Sequence, residues 1–387
     1  MTLDKLILTS LLLASATAMA AGAPDEKAQL GQALFFDSNL SQPAGQACAS
    51  CHDPGRAFSD PNRDEIVAKG VLPGRVGNRN VPAILYASYS PPFHHDDQDD
   101  TYVGGYFLDG RAASLEEQAK GPLLNPLEMA NPDKRAVVDK VRSAAYAPLF
   151  KAVFGQDALN DSDKAYERIA EALAEYQRQP QFRPFSSKYD AWLAGRARLT
   201  AAEMRGLRLF EDKDKGNCAA CHPSRPGPHG EPPLFTDFSY DNLGVPRNPE
   251  LPFYRAGDKV NPEGELYVDR GLGGALKNRA EDGKFKVPTL RNIALTGPYM
   301  HNGYFKTLRG VLAFYNDRDT LPTCADSMTS AAQAQREKCW PAPEVITNVN
   351  HDELGKLGLT PREMDDIEAF LQSLSDGWRP PQTMAAK

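Results

Sequence analysis

The sequence carries the same five-residue pattern twice, CASCH at 48–52 and CAACH at 218–222. No other feature of the 387 residues constrains the fold as much. Thiols at i and i+3 share one face of a helical turn, and an imidazole follows directly. That arrangement can bond both vinyl groups of a porphyrin and ligate its iron. A zinc site would need four Cys and His ligands gathered in space, which each motif could supply only by pairing with the other. A thioredoxin-type redox site would need a βαβ pattern, and none surrounds either motif. The motifs therefore read as two covalently attached c-type haems. Cys48 and Cys51 hold the first and Cys218 and Cys221 the second, with His52 and His222 as iron ligands.

The motifs lie 170 residues apart, which fits one haem per domain. Residues 28–36 (AQLGQALFF) and 202–210 (AEMRGLRLF) precede them. Both stretches read as an amphipathic helix leading into a haem loop, with Phe35/Phe36 and Phe210 as matching aromatics. The helical pattern of 164–177 breaks at Gln179-Pro180 through Pro184. This sets an N-terminal haem domain at 21–180 and a C-terminal one at 181–387. Residues 360–373 predict a last helix with Thr360 as N-cap and Pro361 at its first position. Few segments read as strands. The expected fold is mainly α, with two cytochrome-c-like domains, each holding one covalent c-type haem, and the haems facing the domain interface.

Lys5, the apolar run from Leu6 to Ala16 and the small-x-small site at Ala18-Met19-Ala20 predict a signal peptide over 1–20. The run is shorter than the ~20 apolar residues that span a bilayer, and no later segment is apolar enough to insert. The expected location is the periplasm. A net charge of −7 argues against nucleic acid and leaves open a basic redox partner. Cys324 and Cys339 are either a disulfide, closing a loop worth roughly 3 kcal/mol, or two free thiols.

Several ordered stretches now matter together. They are CASCHDPGRAFSD at 48–60, NRNVPAILYA at 78–87, LDGRAASLEEQAKGPLLNPLEM at 108–129 and FKVPTLRNIALTGPYMHNGYFKTLRGVLAFYN at 285–316, with FLQSLSDG at 370–377. In these the chain resembles the bacterial di-haem cytochrome c peroxidases, and within them the MauG-like branch. The resemblance covers nearly the whole chain beyond the signal peptide.

It implies a hydrogen peroxide site over the first haem. Glu128 would move a proton between the peroxide oxygens, Gln118 would hydrogen-bond the bound oxygen, and Pro122 would keep the pocket closed. On composition alone Glu128 and Gln118 would be surface residues. The resemblance also implies that Tyr315, fourteen residues after His301, is the second axial ligand of the second haem. Conventional members carry Met there, and Met300 is the rival ligand. Those members also cap the first haem with a His ahead of the N-R-N stretch. Residues 66–79 contain none, so the first haem would be open when fully ferric. His94 and His95, with Asp96, Asp97, Asp99 and Asp100, read as a solvated acidic loop.

A calcium ion between the domains is implied at Asn80, Thr296 and Pro298, all oxygen donors. One departure stands out. Leu108 occupies the place of a Trp that lies between the haems in the family, with Tyr106 and Phe107 as nearby aromatics.

The implied activity is peroxide-driven formation of high-valent haem, which then oxidises a partner protein such as the precursor of a tryptophan-derived quinone cofactor in methylamine utilisation. The alternative is a cytochrome c peroxidase drawing electrons from a small cytochrome c or a cupredoxin. A third reading is a di-haem electron carrier with no open site.

Overall fold

A computed structural model describes residues 25–380 apart from 63, 228 and 229. The signal peptide expected at 1–20 lies outside these residues. The described elements are mostly helices: α1 (Glu26–Phe36), α2 (Leu115–Leu124), α3 (Lys134–Ser143), α4 (Ala147–Phe154), α5 (Ser162–Gln177), α6 (Lys188–Leu193), α7 (Ala201–Glu211), α8 (Gly271–Leu276), α9 (Leu308–Asp317), α10 (Ala331–Glu337) and α11 (Pro361–Gln372). Two small antiparallel ladders join β1 (His94–Asp96) to β2 (Thr101–Val103) and β3 (Tyr240–Asp241) to β4 (Phe285–Lys286). The acidic loop is thus a short exposed hairpin. His95 contacts Asp97 at 2.9 Å and Asp100 at 3.4 Å within it.

Two helix crossings organise the chain. In α5 the buried residues Ala165, Ile169, Ala172, Leu173 and Tyr176 recur at helical spacing, and Asp161 caps the first turn. α1 lies across that face. At the crossing stands Gly31, where a Cβ would come within 1.9 Å of the Ala172 carbonyl oxygen. The second half repeats this. Thr360 and Glu363 form a capping box at the start of α11, which buries Met364, Ile367, Phe370 and Leu371. α7 crosses it at Gly206, where a Cβ would again come within 1.9 Å of a carbonyl oxygen, that of Asp366. Only glycine lets the backbones approach so closely.

The internal repeat therefore aligns Gly31 with Gly206, one residue away from the register in which Ala28 matches Ala202. Phe35 pairs with Phe210, and both are buried, whereas Phe36 is 46 % exposed. Backbone contact decided this register, which apolar spacing alone cannot report.

The buried apolar residues fall into separate clusters. The largest draws on residues 30–182, and another on residues 189–374. Polar contacts join these halves. Tyr86 donates to Asp376 at 2.7 Å, and the Arg79 guanidinium grips Asp269 at 2.6 and 2.7 Å. The backbone N–H of Lys286 donates to the Leu108 carbonyl at 2.9 Å. Among the described residues no helix is long and apolar enough to cross a membrane.

Candidate haem and peroxide site

Each motif opens as a short 3-10 turn, Cys48–Ser50 and Cys218–Ala220. The N–H of His52 returns to the Cys48 carbonyl at 3.0 Å, and that of His222 to the Cys218 carbonyl at 2.9 Å. Each imidazole then meets a phenylalanine carbonyl through Nδ1. His52 meets Phe58 at 3.2 Å and His222 meets Phe235 at 2.8 Å. Both phenylalanines have left-handed backbones, with φ of 53° and 54°. That conformation costs about 1–3 kcal/mol for a residue with a bulky side chain. Its recurrence at matching places shows that aiming the carbonyl at the histidine outweighs the cost. A proton held on Nδ1 leaves the Nε2 lone pair as the ligand atom. Burial pushes both imidazoles down to about 4, the carbonyl contacts pulling the other way, so both are neutral near pH 7.

The thiols are desolvated as well. Burial pushes Cys48, Cys51 and Cys218 up to about 12, and Cys221 is raised by the same cause. All four are free. The tightest His/Cys/Asp/Glu group among the described residues is Cys221, Asp241 and Glu353. It holds a single thiol and no imidazole, so it is not the paired Cys/His set that zinc would require.

One cavity of about 490 Å³ is walled by both motifs. Cys51 and His52 line it from one half, and Cys218, Cys221 and His222 from the other. Its largely apolar wall, to which each half contributes a thiol and an imidazole with an unshared nitrogen, fits haem. Gln118, Pro122 and Glu128 line the same space. Gln118 and Pro122 sit one turn apart on α2, which is capped by Ser114 accepting the Glu117 N–H at 3.2 Å. Pro122 cannot return an N–H to the Gln118 carbonyl. The chain then turns at Asn125, whose side chain accepts the Leu127 N–H at 3.0 Å and donates to Glu128 at 2.8 Å. Glu128 is half-buried at the wall rather than a surface residue. Desolvation raises its carboxyl, partly offset by the Asn125 hydrogen bond.

Tyr315 on α9 and Met300 both line the cavity. Burial raises the Tyr315 phenol, with the Cys218 and Cys221 thiols adding to the effect. Asn80, Thr296 and Pro298 line it too. The Asn80 side-chain amide donates to the Pro298 carbonyl at 2.6 Å, and the Asn80 backbone N–H donates to the His301 carbonyl at 2.7 Å. Cys324 and Cys339 are bonded, with Cα atoms 5.0 Å apart.

Around Leu108, Phe107 lies under the Arg111 guanidinium at 3.6 Å, and Tyr106 is buried with the Lys286 ammonium 5.5 Å from its ring centre. Residues absent from the sequence reading also face the cavity, chiefly Arg79, Lys286 and Glu344. No sequence signal marks Lys286, since alternation along a strand puts a lysine between Phe285 and Val287 on the opposite face, which is as readily solvent as a cavity wall.

The chain matches the description di-haem cytochrome c peroxidase over residues 25–198. It is 40 % identical to the methylamine utilization protein MauG of Paracoccus denitrificans, across 92 % of this chain and 89 % of that one. It is 30 % identical to a cytochrome-c peroxidase of Denitromonas iodatirespirans, across 90 % and 81 %. The solved diheme peroxidase BthA of Burkholderia thailandensis superimposes with a TM-score of 0.75 at 35 % identity, across 92 % and 87 %.

Proposed function

The chain belongs to the di-haem cytochrome c peroxidase family, whose members are peroxidase-type oxidoreductases, and on that premise we propose that it is a MauG-like periplasmic enzyme that uses hydrogen peroxide to oxidise a partner protein. The observation that carries this reading is the single cavity in which His52, Gln118 and Glu128 share a wall with His222 and Tyr315. Bound through the two Cys pairs, haem iron supplies a seat for peroxide and a store for its two oxidising equivalents.

The protein's own groups do the rest. The Phe58 and Phe235 carbonyls fix the tautomer and orientation of His52 and His222. Glu128 carries a proton from the near to the far peroxide oxygen, so that water leaves. Its carboxyl, raised by burial, holds a proton more readily than an ordinary glutamate, which suits a group that must both take and give one. Gln118 offers its amide N–H to the oxygen at that site, and Pro122 narrows the space beside it. Tyr315 has its hydroxyl in the second half of the cavity, where burial keeps it protonated until a cation takes the proton's place. A phenolate ligand favours higher oxidation states, and Met300 is the alternative on the same wall. Asn80, Thr296 and Pro298 supply the oxygen set for a calcium ion at the seam of the halves. The Cys324–Cys339 disulfide supports an oxidising compartment and so an exported chain. The separate apolar clusters of residues 30–182 and 189–374 support two haem domains divided near residue 180.

Leu108 favours a second reading, since a seam without Trp slows the sharing of charge between the haems. In that reading the protein is a cytochrome c peroxidase fed by a small cytochrome or cupredoxin. A competition assay separates the two. Peroxide is added to the holoprotein with reduced cytochrome c, with a cupredoxin, or with a quinoprotein precursor from methylamine utilisation. The proposal expects oxidation of the precursor to outrun that of either carrier. Fast carrier oxidation with an untouched precursor moves the assignment to the second reading, and no peroxide consumption leaves only an electron carrier.

A further inference from the structure

Lys286 is the one cavity-lining lysine or arginine among the described residues whose charge meets no carboxylate. Arg79 has Asp269 and Asp109, Arg111 has Asp109 at 2.8 Å, Arg291 has Asp190 at 2.8 Å, and Lys69 has Glu65. The Lys286 ammonium donates to the Gly105 carbonyl at 2.5 Å, which uses one of its three donors. The cavity's own carboxylates are engaged elsewhere. Glu128 is held by Asn125, Asp241 and Glu353 by Asn350, and Glu344 by Tyr254. β4 fixes the backbone of Lys286 against Tyr240 on one side and Leu108 on the other, so its head sits at the seam of the halves.

An enclosed cation without a counter-ion is costly, and such a site selects an anion. Burial pushes this ammonium down to about 8, against a smaller upward pull from Asp109, so it is still mostly charged at neutral pH. A c-type porphyrin carries two carboxylates on an otherwise apolar ring. We propose that Lys286 pairs with a haem propionate and so ties one haem to the seam between the halves. This rests on the reading of the cavity as a haem site. The pairing makes Lys286 a positioning residue, with no part in the proton transfer assigned to Glu128.

The test uses the holoprotein and two variants, Lys286→Gln and Lys286→Arg. Mass and haem content are measured first, then the propionate bending band by resonance Raman, then both midpoint potentials by redox titration. The pairing predicts that Lys286→Gln shifts the propionate band and moves one midpoint to more negative potential, while Lys286→Arg keeps both near the parent. An unchanged band in Lys286→Gln with both haems present overturns the pairing, even if a midpoint moves. Fewer than two haems on the parent protein overturns the haem reading itself, and the pairing with it. Should Lys286→Gln not assemble, the parent band is followed as pH rises through the lysine range. A step that Lys286→Arg lacks supports the pairing, and a flat parent profile overturns it.

Discussion

At the scale of single residues, burial sets the ionisation on which the site depends. Glu128 is held above its ordinary value of 4.5, so the peroxide reaction should slow as pH falls through a point above that value. Glu128→Gln keeps the Asn125 contact and removes the proton carrier. It should slow the reaction of the ferric protein with peroxide about 10²–10⁴-fold at unchanged haem content, as read by stopped-flow absorption. A loss under threefold would place the proton elsewhere.

His52, His222 and the four cysteines beside them were legible in the sequence because covalent chemistry dictates their spacing. The phenylalanine carbonyls that steer the rings were not, because a positive φ at Phe58 or Phe235 leaves no trace in residue type.

At the scale of elements, the two glycine crossings explain why α1 and α7 look alike. Gly31 and Gly206 each let a helix settle onto a carbonyl of its partner, which brings Phe35 and Phe210 into the core ahead of the haem turns. Gly206→Val must push α7 off α11 and should cost about 1–3 kcal/mol or more, measured by chemical denaturation of the holoprotein. A neutral result would mean that the crossing is looser than its geometry states. Helix positions and caps were readable. The last helix starts after its Thr360 N-cap, with Pro361 first, as the residues predict. The register of the repeat was not readable, since apolar spacing in 28–36 and 202–210 tolerates a shift of one residue.

At the scale of the molecule, the halves meet through buried charge as well as through an apolar patch in which Ile66 and Val67 pack against Leu251, Phe253 and Tyr254. Burial would raise the Asp269 carboxyl, but Arg79 outweighs it and holds it below the ordinary range. The pair therefore stabilises the fold above the usual carboxylate pKa and fails on acidification. Asp269→Asn leaves the buried Arg79 with Asp109 alone and should cost about 3–5 kcal/mol, seen as earlier unfolding and as faster protease cleavage between the halves. Unchanged cleavage would mean that other contacts hold the seam. Arg79 and Asp269 stand 190 residues apart, and no local pattern in one sequence connects them. The shared cavity was expected only through resemblance, and its wall includes charges, Lys286 above all, that no motif singled out.

The central claim is that peroxide meets an open first site beside Glu128 while the second site, with Tyr315, shares the oxidation. The direct test is rapid mixing of the fully ferric holoprotein with one equivalent of hydrogen peroxide, followed by optical absorption at both haems. The account predicts a fast spectral change of both haems without prior reduction. A protein that stays silent until one haem has been reduced would contradict it, because a ligand would then be closing the first site.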